Sequence, residues 1–197
     1  MDFLNDDWRS QPTCPTDFIY KIARTESEVD GFWQLRRAVF CEEQGIFHES
    51  DEDERDRSMI PIICVSMVMG MEDAVVGVVR IHEHEPHVWW GSRLAVHSSF
   101  RRRQRLSQSV LVRNHQPHDC ARSIGAGLIY KAVSTARALG CTTFYAHVQQ
   151  QNAAFFETLH WKSRGPVRLH DRPHVHMEAD LNFYQPASHD LAPAHVA

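Results

Sequence analysis

The chain has 197 residues, enough for one well-cored domain and short for two. Hydrophobic residues make up 43% and charged residues 23%, which excludes a collagen-like or wholly disordered chain. The formal charge of −4 argues against a nucleic-acid binder held by bulk electrostatics.

Residues 1–16 are polar, carry Pro12 and Pro15, and read as a loose arm. Phe18 to Ile22 reads as a first strand. Thr25 is an N-cap, with Glu28 three residues on to complete a capping box. Val29, Phe32, Trp33, Arg36, Val39 and Phe40 follow at helical spacing, and Gly45 closes that segment. The acidic stretch 49–56 reads as a solvated loop that could attract a cationic substrate. Ile60 to Met69 is a dense apolar strand, Gly70 to Asp73 a hairpin turn, and Ala74 to His82 the next strand. A turn at Glu83 to Pro86 leads to a fourth strand, His87 to His97. Trp89 and Trp90 are adjacent on it and so face opposite sides. Residues 98–121 break the pattern and read as an insertion loop. A helix runs from about Ser123 to Leu139 and stops at Gly140. Thr142 to Val148 is a strand and Asn152 to Leu159 a short helix. Final strands are expected near Val167 to Leu169 and His174 to Tyr184, and 186–197 reads as a frayed tail. The order β-α-β-β-β-α-β-α-β-β describes a mixed α/β sheet in one domain, 17–185.

Five widely spaced cysteines without a CxxC pair argue against a disulfide scaffold or zinc ribbon and fit a reducing cytoplasm. The apolar stretch Met59 to Met71 is interrupted by Pro61, Ser66 and Gly70 and is too short to span a bilayer. The N-terminus is acidic and lacks a signal-peptide core. The 14 histidines invite a metal hypothesis, chiefly at His82, His84 and His87 and at His174 and His176. No cysteine stands near them and the first group lies at a hairpin, so no metal is expected.

The chemistry concentrates at Arg122-Ser123-Ile124-Gly125-Ala126-Gly127-Leu128, which opens the central helix. Free amides and the helix dipole at such a start can hold a phosphate or pyrophosphate. No Gly-Lys-Ser/Thr follows, so it is not a Walker loop, and its glycine spacing is not that of a dinucleotide fingerprint. The alternative is that Gly125 and Gly127 only permit close helix–sheet packing.

The run Arg93 to His97, then Phe100 to Arg103, then Arg122-x-x-Gly125-x-Gly127-Leu128 resembles the acetyl-CoA site of the GNAT family of N-acetyltransferases. Val148 to Trp161, with Asn152 opening a helix and an aromatic-rich end, resembles that family's next motif. Leu35 to Gly45, with Arg36, Val39-Phe40 and Glu43-Gln44-Gly45, resembles the first helical hairpin of one subgroup. A narrower likeness to nitrogen-starvation acetyltransferases encoded near nitrilases lies in Gly140-Cys141, Ala146 to Gln149 and Arg172-Pro173-His174.

The resemblance implies a GNAT fold whose fourth and fifth strands splay. It implies that the pantetheine arm of acetyl-CoA pairs with Leu94, Ala95 and Val96, one amide polarising the thioester. It also implies that the amides of Ile124 to Leu128, with Arg122, Ser123 and either Arg102 or Arg103, hold the pyrophosphate. Asn152 and Phe156 complete the cofactor side, and Phe40, Trp90, Arg172 and His174 fall at the substrate end. Two departures stand out. Extra residues from Gln104 to Ala121 separate the arginine run from Arg122, and Phe156 replaces the tyrosine that many members use to protonate the leaving thiolate.

His147 on the fifth strand and Glu43 in the first hairpin are the candidate bases. Cys141 is a conceivable nucleophile, but its place after a helix end favours packing. The expected activity is transfer of an acetyl group from acetyl-CoA to a small-molecule amine in a ternary complex, with a homodimer expected. An acyl-homoserine-lactone synthase-like enzyme and a non-catalytic acyl-CoA-binding module are the alternatives.

Overall fold

The computed structural model describes Pro15, 17–101 and 123–187. The expected arm, most of the insertion and nearly all of the tail lie outside these residues, as do Arg102, Arg103 and Arg122. Seven strands form one sheet in the order β1-β2-β3-β4-β5-β7-β6. They are β1 (Asp17–Ile22), β2 (Ile60–Val68), β3 (Met71–Glu85), β4 (Val88–Val96), β5 (Thr143–Gln149), β6 (Trp161–Leu169) and β7 (Arg172–Ala179). Only β4 and β5 run parallel; every other pair is antiparallel. The order of elements matches the sequence reading.

Helix α1 (Glu26–Arg37) starts at Thr25 with both hydrogen bonds of the capping box in place. It continues as a π-helical turn, Ala38–Glu43, in place of the α-helical continuation expected through Phe40. The wider turn leaves both Val39 and Phe40 buried. Helix α2 (Ile124–Ala138) is capped by Ser123, whose hydroxyl accepts from the Ala126 amide at 3.2 Å. Helix α3 is short, Ala153–Glu157, and follows a single 3₁₀ turn, Gln150–Asn152.

Strand ends differ from expectation where paired turns are tighter than the sequence suggests. Met69 and Gly70 both have positive φ, 51° and 82°, so β2 and β3 are joined by a two-residue turn and β3 begins at Met71. His170 and Asp171, at φ 48° and 57°, do the same between β6 and β7. Their pairing pulls residues from Trp161 onward into β6, while β7 ends at Ala179. Tyr184, expected in the last strand, instead tucks beneath β6, accepting from Trp161 Nε1 at 2.9 Å. Ala187, at the start of the expected tail, is buried, and its amide donates to the Ser134 carbonyl of α2.

The two-residue period sorts the core into two layers. Ile62, Cys64, Phe144, Ala146 and Val148 pack with Leu128, Ile129, Ala132 and Val133 of α2. Ile63, Val65, Val78 and Ala95 pack on the opposite face with Phe32, Leu35, Val39 and Phe40. Gly127 faces Tyr20 so closely that an added Cβ would stand 2.3 Å from the ring. Its place in the motif therefore serves packing, and its amide is spent on the Ser123 carbonyl.

Candidate active site

Strands β4 and β5 pair only from Val88↔Thr143 to Gly91↔Ala146. Beyond Gly91, Ser92–Val96 has no partner on β5, and β4 remains paired to β3 alone. A bulge opposite Val78 to Arg80 marks the divergence, with Arg93 at φ +56°. The two strands thus part like a V, as the resemblance implies.

A cavity of about 600 Å³ occupies the gap. Residues from both faces of β5 line it: Phe144, Ala146 and Val148 on the α2 side, His147 and Gln149 on the other. The cavity therefore passes through the sheet. Leu94, Asn152 and Phe156 line it, as do Phe40, Trp90, Arg172 and His174. Ala95 is buried in the α1 layer, and the Val96 carbonyl accepts from Arg101 Nε at 2.6 Å. At the start of α2 the helix offers no acceptor for the Ile124 and Gly125 amides. A Cβ on Gly125 would meet nothing nearer than 3.9 Å, so this position is open.

Trp89 is in the core and Trp90 walls the cavity, a choice the sequence leaves undecided. The Trp90 ring stacks on His176 at 5.3 Å and lies 4.8 Å from His147. His147 is exposed at the cavity wall. Partial desolvation, then His176 and His174, hold its imidazole below the ordinary histidine value, which favours the neutral ring. His174 is buried, its Nδ1 2.9 Å from the Arg172 carbonyl. Glu43 stands apart: it is paired with Arg101, Oε2 to Nη2 at 2.7 Å, and does not line the cavity. Cys141 is buried, and burial pushes its thiol up to about 11, which leaves it unreactive. Among the described residues, no cluster of His, Cys, Asp or Glu is arranged to hold a metal ion.

The acidic stretch is not a solvated loop. Asp51 is 2% exposed, and three carboxylates meet three guanidiniums beside the cavity. Arg36 binds Asp51 at 2.8 Å and Asp56 at 2.7 Å. Arg80 grips Asp53 with two bonds, 2.7 and 2.9 Å, and also reaches Asp56. Arg93, turned by the bulge, binds Asp51 at 2.9 Å and Asp53 at 3.3 Å. Burial opposes the Asp53 charge, but hydrogen bonding and charge from Arg80 outweigh it and hold the carboxyl down at about 2. The sequence does not single out Arg80, and it offers Arg93 only as the start of a motif strand and His82 only as a metal candidate. A usable signal was present: an arginine inside the apolar run Val75 to Ile81 requires a buried partner.

His82, on β3 opposite Trp90, is 5% exposed, lines the cavity, and has no partner for Nδ1. Burial, then Arg80, pushes its imidazole down to about 4. A histidine depressed from 6.5 to about 4 contributes stability that is complete above 6.5 and lost as pH falls through 4. Urea titrations from pH 7 to 4 should show this loss, on the order of 3 kcal/mol, and His82→Gln should flatten the curve. An equal slope in both proteins would reassign it.

No protein-family model and no curated protein matches the chain. Solved structures do. A proposed N-acetyltransferase from Lactobacillus plantarum superposes with TM-score 0.62 at 20% identity, over 83% of this chain and 97% of that one. An acyl-CoA N-acyltransferase from Pseudomonas aeruginosa gives 0.57 at 19%, over 83% and 99%. An aminoglycoside 6'-N-acetyltransferase complexed with coenzyme A gives 0.59 at 17%, over 83% and 97%. The likeness is one of fold: the chain has the GNAT, or acyl-CoA N-acyltransferase, fold. No described helix is long and apolar enough to cross a membrane.

Proposed function

We propose that the protein is an acyl-CoA-dependent N-acyltransferase that transfers acetyl from acetyl-CoA to a small-molecule amine. The through-sheet cavity at the β4–β5 divergence carries this reading, because it lets donor and acceptor meet from opposite faces. The donor's pantetheine arm lies along the free edge of β4 near Leu94 and Val96. The Ile124 and Gly125 amides, with Ser123 and Arg122, take the pyrophosphate. Asn152 and Phe156 border the thiol end.

The amine enters on the side of Phe40, Trp90 and His147. Its lone pair attacks the thioester carbonyl carbon; the C–N bond forms as the C–S bond breaks. His147, whose neutral ring is favoured by partial desolvation and the neighbouring histidines, accepts the proton the amine loses. A β4 amide steadies the carbonyl oxygen. Coenzyme A leaves as a thiolate and takes its proton from water, since Phe156 has none to give. The narrower likeness at Gly140-Cys141 and Arg172-Pro173-His174 points to a role in nitrogen handling.

Gly125→Glu tests the donor site. The open space there and a carboxylate's compatibility with a helix start predict a folded variant. Its charge should repel the pyrophosphate and abolish acetyl-CoA binding in calorimetry. Unchanged affinity would remove the phosphate site from this loop. Binding by the wild type without turnover on any amine would favour the non-catalytic module.

A further inference from the structure

The folding of segment 49–56 reverses the charge expected at the acceptor mouth. Asp51, Asp53 and Asp56 are consumed by Arg36, Arg80 and Arg93, three charges against three. Two further guanidiniums line the cavity outside this network, Arg55 and Arg172. Both are exposed, and among the described residues neither has a carboxylate within ion-pair distance. Arg172 spends one N–H on the Gln44 carbonyl at 2.8 Å and keeps the rest of its fork. Glu52 is the one lining carboxylate outside the network among the described residues, so cations are in excess. In the wall of the same cavity, His82 is more than nine-tenths buried and its Nδ1 is unpartnered. Surplus guanidiniums at the mouth and an unspent imidazole nitrogen in the wall describe a site for an anionic, hydrogen-bonding ligand.

We propose that the acceptor is an amino acid or amino-acid-like amine whose carboxylate is held by Arg55 and Arg172, with His82 hydrogen-bonding its polar part. This rests on reading the cavity as the acceptor site of an N-acyltransferase. The transfer balances as before: the amine gives up a proton as C–N forms, and the thiolate released by C–S cleavage takes one up. The products are an N-acyl amino acid and free coenzyme A. Arg80 and Arg93 are unsuited to this task, because their carboxylate partners already occupy them.

The test uses two amines with and without their carboxylate and one pair in which phosphate replaces it. Phenylalanine is set against phenethylamine, methionine against 3-methylthiopropylamine and β-alanine against phosphoethanolamine, with thiol release followed from acetyl-CoA. At least one carboxylate member should turn over with kcat/KM about tenfold or more above its partner. Arg55→Gln and Arg172→Gln should each raise KM for that amino acid about tenfold, with little change in kcat or in the decarboxylated amine's rate. Arg172→Lys should recover part of the loss, and Arg164→Gln, on exposed β6, should change nothing. Equal or faster turnover of the decarboxylated amines would overturn the proposal. A preference for phosphoethanolamine would assign the anion as phosphate and overturn the carboxylate. Acetyl-CoA binding by calorimetry without turnover of any pair would remove this acceptor class while leaving the donor site standing. Absence of acetyl-CoA binding would overturn the function and the acceptor class together.

Discussion

Arg36→Met is expected to lower the free energy of unfolding by about 3–5 kcal/mol in urea denaturation. The Arg36 side chain is 0% exposed, lies over the Trp33 ring at 4.4 Å, and binds two buried carboxylates. Methionine keeps the apolar packing and removes the charge. Asp51 and Asp56 then share Arg93 and Arg80 with Asp53, leaving three carboxylates for two guanidiniums. An uncompensated buried charge costs more than the pair contributes, so the loss exceeds that of an exposed ion pair. Domain stability is ordinarily only about 5–15 kcal/mol, so the variant should melt far lower. Adding Asp51→Asn should recover part of the loss, and the double-mutant cycle measures the coupling. A cost under about 1 kcal/mol would show that the network does not hold segment 49–56 in place.

His147→Gln is expected to lower turnover about 10²–10⁴-fold, with acetyl-CoA affinity unchanged. Glutamine keeps the polar contact at the cavity wall and cannot accept a proton. The wild-type acidic limb of kcat/KM should fall below the ordinary histidine value. Desolvation and the neighbouring His176 and His174 favour the neutral ring, so the base stays competent as pH drops. The limb should vanish in the variant. A rate like the wild type's, or an unchanged pH profile, would exclude His147 and move the proton to water or the acceptor's own equilibrium.

The histidine excess also takes on a definite place. His147 and His176 pack on Trp90, His82 pairs opposite it, and His82, His147 and His174 line the cavity, from strands that are far apart in the chain. His147 and His176 are opposed across β5 and β7, and His82 faces Trp90 across β3 and β4. Pairing of strands, not proximity in sequence, makes the cluster.

Periodicity and capping were legible from residues alone because they are local. Thr25 and Glu28 close their box within four residues, and the alternation in β5 predicts its two faces without reference to a partner. The glycine-rich start of α2 likewise announces itself, although only contact with Tyr20 reveals that Gly127 serves packing while Gly125 stays open. Charge was not legible in this way. Asp51, Asp53 and Asp56 look solvated in a run of acids, and their neutralisation by Arg36, Arg80 and Arg93 depends on three elements converging. The same holds for the cavity, which exists because β4 bulges at Arg93 and parts from β5 after Gly91. The order of elements, the helix starts and the two-faced core follow from the residues alone, since each rests on short-range sterics and hydrogen bonding. The sign of charge at the cavity mouth comes from the folded chain, because an ion pair's partner is set by distance in space, which strand pairing creates.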